Sequence, residues 1–196
     1  MNLIERAKNI LIKPKEEWAV ISLETTSVAE LCTKYLLILA LIPALAQFIK
    51  FGLLGYSAPF IGHIGGSIPG GIRQAIISYV STVAGAFISA FIIDALAPSF
   101  GSQKNFSRAF QLVVYSFTAT MVVGIFVMIP GLSILTIVGL YGLYILYLGM
   151  SPMMLTPEDK LVGYFVVSLI VIIAVYVVLG LILTAMLFTG AVITGM

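Results

Sequence analysis

Residues 109–157 read AFQLVVYSFTATMVVGIFVMIPGLSILTIVGLYGLYILYLGMSPMMLTP, an uncharged tract bounded by Arg108 and Glu158. A second uncharged tract runs from Leu161 to Met196. A domain packed in water needs a charged shell, and neither tract supplies one. A spanning helix needs about 20 apolar residues, because a rise of ~1.5 Å per residue must cross ~30 Å of hydrocarbon. The two tracts therefore hold about three crossings. The chain reads as an all-α integral membrane protein.

Working outward, 61% of the 196 residues are hydrophobic and only 9% are charged, against about 25% charged in soluble domains. That leaves one membrane domain, residues 28–196, behind a short N-terminal segment, residues 1–27. A net charge of +2 is too small to point to nucleic acid. One cysteine, Cys32, excludes an internal disulfide, and one histidine, His63, excludes paired-histidine metal motifs. Neither a metal nor a cofactor is expected. Tyr35 to Ile42 followed by Ala44-Leu45-Ala46 imitates a secretory leader, but the segment before it is far too long for one, and retention as the first span is expected.

Leu3, Ile4, Ala7, Ile10 and Leu11 recur at helical spacing opposite Glu5, Arg6, Lys8 and Asn9. The pattern predicts a short amphipathic helix ending before Pro14. It lies in the membrane interface or caps the floor of the bundle, with Trp18 as an interfacial anchor. Ser27 to Glu30 forms a capping box, and Glu30 can pair with Lys34 one turn on, where the first span leaves water.

Five spans follow, near residues 28–54, 72–96, 109–129, 132–150 and 161–188. Pro43 should kink the first or mark a packed irregularity. Residues 51–72 are rich in glycine and hold Pro59 and Pro69, which predicts a loop that can dip into the membrane. Pro130-Gly131 divides the long tract into two antiparallel neighbours. The last span exceeds what the bilayer requires, and tilt or fraying after Gly190 would absorb the excess. With the N-terminus in the cytoplasm, Arg6, Lys8, Lys13, Lys15, Lys34, Lys104, Arg108 and Lys160 lie inside and only Lys50 and Arg73 outside. The expected location is the cytoplasmic (inner) membrane, with the C-terminus outside.

The order of several weak motifs carries a family resemblance. Residues 2–11, NLIERAKNIL, are followed by Pro14, Trp18 and Ile21. Phe100-Gly101-Ser102, Phe106, Tyr115-Ser116, the run YGLYILYLG at residues 141–149, Pro157 and Lys160 then come in sequence. Over nearly its whole length the chain resembles bacterial members of the Yip (Ypt-interacting protein) family. The resemblance implies a five-span helical bundle with a cytoplasmic N-terminus. Eukaryotic relatives associate with Rab-type GTPases and carry an acidic Asp-Leu-Tyr-Gly-Pro motif in a longer cytosolic region. That motif is absent from this chain, so the activity is not carried over.

Asp94 ends an uncharged run from Gln74 to Ile93, and a carboxylate there is costly unless it faces protein, water or a cation. Depth along the spans permits a polar cluster of Asp94, Gln111, Tyr115, Tyr144, Tyr147 and Tyr164. Such a cluster would be a cation or proton site, or the floor of a solute cavity. Alternatively, Asp94 pairs with Lys104 or Arg108 while the tyrosines hydrogen-bond across helices. His63, with Gly65 and Gly66, could line a re-entrant pore mouth on the outer loop or bind a metal transiently, though one histidine without a nearby carboxylate or thiolate makes a poor metal site; otherwise the histidine is simply hydrogen-bonded there. The stretch Gly65-Gly66-Ser67-Ile68-Pro69 lacks the last glycine of a nucleophile elbow, and no phosphate-binding or dinucleotide motif is present. Catalysis is not expected. Two functions remain open: a non-enzymatic organiser of membrane or partner proteins, or a small transporter or channel. The expected partners are the lipid bilayer and a membrane protein or a second copy of the chain.

Overall fold

The computed structural model describes residues 2–58, 62–129 and 132–194. The N-terminal segment folds as two helices. Asn2 caps α1 (Leu3–Ile12), its side chain accepting from the Ile4 and Glu5 amides. Pro14 opens α2 (Pro14–Leu23). Proline suits the first helical position because that amide has no intrahelical acceptor, and Glu16 and Glu17 in the first turn favour the positive helix end. Pro14 thus ends one helix, as expected, and starts a second that was not anticipated.

The buried stripe of α1 is Arg6, Ala7 and Ile10. Arg6 therefore leaves the solvent face that the periodicity assigned to it, while Ile4 is 75% exposed. The stripe turns because α1 must meet Glu17, Trp18 and Ile21, the buried face of α2.

The first span, α3 (Val28–Leu54), is irregular. It starts at the Ser27 cap, whose hydroxyl accepts from the Glu30 amide at 3.2 Å, and contains wider π turns at Cys32–Leu36 and Ile49–Leu54. Its turn at Ala40 lies just before Pro43, and Pro43 packs against Gly124. The glycine-rich stretch is more ordered than a loop. Strands β1 (Tyr56–Ala58) and β2 (Gly62–Ile64) form an antiparallel ribbon with Ser57 opposite His63; Pro59 lies outside the described residues. Gly55 has φ 77°, where a side chain is strained.

Helix α4 (Ile68–Leu96) begins four residues before the sequence expectation. Ser67 caps it, and Pro69 is tolerated in its first turn. A Cβ on Gly71 would strike the backbone of Gly52, so glycine here lets α3 and α4 approach backbone to backbone. Tight 3-10 turns at Ala97–Phe100 end α4, and Gly101 reverses the chain at φ 65°.

Asn105 caps α5 (Phe106–Val123). This is the central helix: eleven of its 18 residues are buried, and it packs against α1, α3, α4 and α6 (Tyr141–Met154). Helices α5 and α6 are antiparallel neighbours. The Pro130-Gly131 break assigned to their connection lies outside the described residues, and its flanks, Gly124–Met128 and Ser133–Leu140, are 3-10 turns. Helix α7 (Glu158–Thr194) runs unbroken through Gly180 and Gly190.

Five segments are long and apolar enough to cross a membrane: Val28–Leu54, Ile68–Phe100, Phe106–Met128, Ile134–Met154 and Glu158–Leu181. Exposed apolar side chains cover their outer faces, among them Ile76, Val80, Ile137, Ile170 and Ile173, as lipid contact requires. At ~1.5 Å per residue, Arg73 and Asp94 stand ~31 Å apart along α4, which matches the hydrocarbon thickness.

Hydrogen bonds tie the two connections and the N-terminal segment into one end of the bundle, called here the near end. The Gln103 amide donates to Met154 O (2.8 Å), Ser102 Oγ to Thr156 Oγ1 (2.9 Å), and Ser107 Oγ to Thr26 O (3.3 Å). The β-ribbon lies at the far end.

Gly149 on α6 is where α2 seats. A Cβ there would lie 2.6 Å from both Leu112 Cδ1 and Trp18 Cζ2. Gly149→Val should destabilise the protein by about 1–3 kcal/mol through overpacking, with a shift in the emission of Trp18, the single tryptophan; both are read by thermal unfolding followed by fluorescence.

Candidate functional site

The near end holds a polar concavity, an open basin of about 710 Å³. Helical spacing builds it. Asn2, Glu5, Arg6 and Asn9 line it from α1, Glu17, Val20 and Glu24 from α2 and the residue after it, and Glu30 from the start of α3. A second recess of about 390 Å³ shares Glu24, Thr25 and Thr26 and extends to Arg108 and Gln111.

Arg6 organises the basin. Its guanidinium is buried and donates to Glu17 through one nitrogen and to Glu24 through the other. Burial opposes the positive charge, but the hydrogen bond and charge of Glu24, with the charge of Glu17, outweigh it and raise the Arg6 pKa above the ordinary guanidinium value. Its Cζ also lies 5.8 Å from the Tyr115 ring centroid, a cation–π geometry.

Tyr115 is the hub beneath this charge. Trp18 meets it edge-on at 6.1 Å and Tyr35 at 5.1 Å. Such aromatic pairs each contribute about 0.5–1.5 kcal/mol beyond burial. The Tyr35 and Thr118 hydroxyls share a hydrogen bond of 2.8 Å. Trp18 is 1% exposed, and its indole N–H donates to Ile145 O at 3.0 Å. It is a core residue seated on Gly149, not a side chain projecting into the interface.

The other sequence candidates do not converge on one cavity. Gln111 Nε2 donates to Thr26 O at 2.9 Å, on the basin side. Tyr164 donates to Ile93 O and stacks on Phe100 at 5.2 Å, at the seam of α4 and α7. Asp94 lies beside this seam; its Oδ1 is buried without a hydrogen-bond partner, and it pairs with neither Lys104 nor Arg108. Arg108 instead donates to Ile21 O at 3.4 Å. Tyr144 is 47% exposed, and Tyr147 meets Phe165 at 5.3 Å. His63, Gly65 and Gly66 are exposed at the far end. Glu30 and Lys34 form the expected pair at 2.8 Å, on the surface.

Spacing alone missed the partnership of Arg6 with Glu17 and Glu24, which joins two helices across a turn. Its one local signal is Pro14 with two acids behind it, the start of a returning helix. Tyr141 was also missed as a staple: its hydroxyl donates to Leu11 O at 3.1 Å and so holds the turn of the α1–α2 hairpin against α6. An apolar crevice of about 380 Å³ opens between α4, α5, α6 and α7, with Ser89, Thr120, Leu169 and Tyr176 on its walls. Among the described residues, no group of His, Cys, Asp or Glu is arranged to hold a metal ion.

Residues 8–194 match the Yip1 domain. The chain belongs to the Yip1 domain family. The match takes in α2, the five spans and the second half of α1, beginning two residues after Arg6. No curated protein and no solved structure matches the chain. The family and the five spans make this a multi-pass membrane protein.

Removing one partner of the Arg6 network strands a buried charge, which costs about 3–5 kcal/mol. Arg6→Met should therefore lower stability by about that much, while Arg6→Met combined with Glu17→Gln recovers part of the loss. Denaturant unfolding in detergent of the two single variants and the double variant checks the coupling.

Proposed function

We propose that this Yip1-domain protein is a non-enzymatic organiser of membrane or partner proteins, from the bacterial branch of the family and resident in the cytoplasmic membrane. The near end faces the cytoplasm, residues 1–27 form the cytoplasmic segment, and the C-terminus lies outside. Eight of the ten basic residues belong with the near end or the segments leading into it, while Lys50 and Arg73 lie toward the far end, as a positive-inside arrangement requires.

One observation carries the reading. The polar side chains that could have formed a passage are dispersed into separate packing roles, while the open polar basin sits at one end of the bundle, built by a hairpin docked on the central helix. An organiser needs a presented surface, and a transporter needs a path. Exposed Ile4, Ile12, Val20 and Leu23, with exposed Lys8, Lys13 and Lys15, give the hairpin the mixed apolar and basic rim of an interfacial element.

A second reading, a small transporter or channel, is favoured by Asp94 Oδ1, Ser89 Oγ and Ser168 Oγ. All three are buried without hydrogen-bond partners on the two helices that meet at the Tyr164 seam. Buried groups of this kind occur where an ion or water passes.

Two measurements separate the readings. Photo-crosslinking through the α1–α2 hairpin in intact membranes should recover protein partners, and proteoliposomes should show no saturable ion or solute flux. A flux abolished by Asp94→Asn would establish transport instead. For orientation, single cysteines at Lys104 and His63 in a Cys32→Ser background should react with an impermeant thiol reagent from the cytoplasmic and outer sides, respectively.

A further inference from the structure

We propose that the near-end basin is a receptor for the basic flank of another membrane protein, namely Lys or Arg side chains just cytoplasmic of a partner's spanning helix. This rests on the organiser reading and the orientation given with it, and names the class of partner.

The chemistry of the wall is one-sided. Glu5, Glu17, Glu24 and Glu30 face the basin and Arg6 is the cation among them. Arg6 is already held by Glu17 and Glu24, and Glu5 forms no ion pair among the described residues. Glu30 reaches Lys34 only on the surface, where such a pair is worth little and exchanges readily.

A second observation points the same way without involving charge. Gln111 is 3% exposed, and its Oε1 has no hydrogen-bond partner. Its Nε2 is committed to Thr26 O, and the residue lines, together with Arg108, the neighbouring recess, which shares Glu24, Thr25 and Thr26 with the basin wall. A buried acceptor left unmade costs about 1–3 kcal/mol. The ligand that supplies its donor and neutralises the acids is a group rich in N–H bonds, and a guanidinium or ammonium side chain is that group.

Position selects the source. Cytoplasmic flanks of spanning helices are enriched in Lys and Arg, and they lie at the depth where this basin opens. Val20 and Leu23 on its wall can take the apolar stems of those side chains. The volume of about 710 Å³ falls within the range of specific binding sites.

The test uses the full-length protein in phosphatidylcholine nanodiscs and a fluorescent ten-residue peptide alternating Arg and Ser, read by anisotropy against empty nanodiscs. Saturable binding is expected, with Kd raised about tenfold by combining Glu5→Gln and Glu30→Gln, neither of which holds Arg6. Gln111→Met should weaken binding without changing charge, and unchanged Trp18 emission shows that each variant is folded. Equal affinity for the wild-type protein and the Glu5→Gln, Glu30→Gln variant overturns the proposal. So does displacement of the peptide by phosphatidylethanolamine in the disc, which assigns the basin to a lipid amine. Partner recovery by crosslinking in membranes is independent of the peptide, so either result would remove the basin assignment while leaving the organiser reading to stand or fall on its own test.

Discussion

The Arg6 guanidinium, fixed between Glu17 and Glu24 and lying over Tyr115, is the constraint on which the near end depends. A charge at this depth is tolerated only with its counter-charges in place. That requirement forces α1 and α2 into one hairpin and turns the α1 stripe away from its apparent amphipathic face. Buried ion pairs contribute little net stability, because desolvation nearly offsets attraction. The affinity of the hairpin for the bundle therefore comes from Trp18, Ile10 and Ile21, all essentially fully buried, at about 1.5–3 kcal/mol per large apolar side chain. The ion network contributes register, because Arg6 on α1 meets Glu17 on α2 and Glu24 just after it at the same time.

From that docking the two ends of the molecule diverge. At the near end, caps from Asn2, Ser27 and Asn105 and hydrogen bonds between connections satisfy the backbone groups that helix ends leave open. At the far end Ser67 caps α4, π turns close α3, and 3-10 turns lie on either side of the α5–α6 connection. There α3 and α4 touch through Gly52 and Gly71 with no room for side chains. Small residues permit such approach in membrane bundles, where packing must replace the hydrophobic effect.

The spans were legible because their signal is additive: hydropathy accumulates over twenty residues, and Asp94, Arg108, Glu158 and Lys160 mark where it stops. Boundaries were less so. Ile68 and Phe106 begin helices earlier than the apolar tracts, since Ser67 caps a first turn of proline and glycine and Asn105 one that holds Ser107 and Arg108, neither of which hydropathy registers as helix. The glycines of residues 51–72 were read as breakers, whereas Gly52 and Gly71 serve close contact between helices, a pairing that only the fold reveals. The site was least legible. Depth arithmetic placed Asp94, Gln111, Tyr115, Tyr144, Tyr147 and Tyr164 near one end, but depth says nothing about azimuth, and their helices turn them toward different neighbours. Apart from Glu30 in the first turn of α3, the acids that line the basin lie outside the spans, where local spacing cannot show which helix they will meet.

The central claim is that the first 24 residues are part of the bundle rather than an arm beside it. Hydrogen–deuterium exchange of the full-length protein in nanodiscs tests this directly. The account expects amides around Ala7–Leu11 and Trp18–Ile21 to be protected as long as those of α5. Exchange of both segments within seconds, in a sample whose α5 amides remain protected, would contradict it.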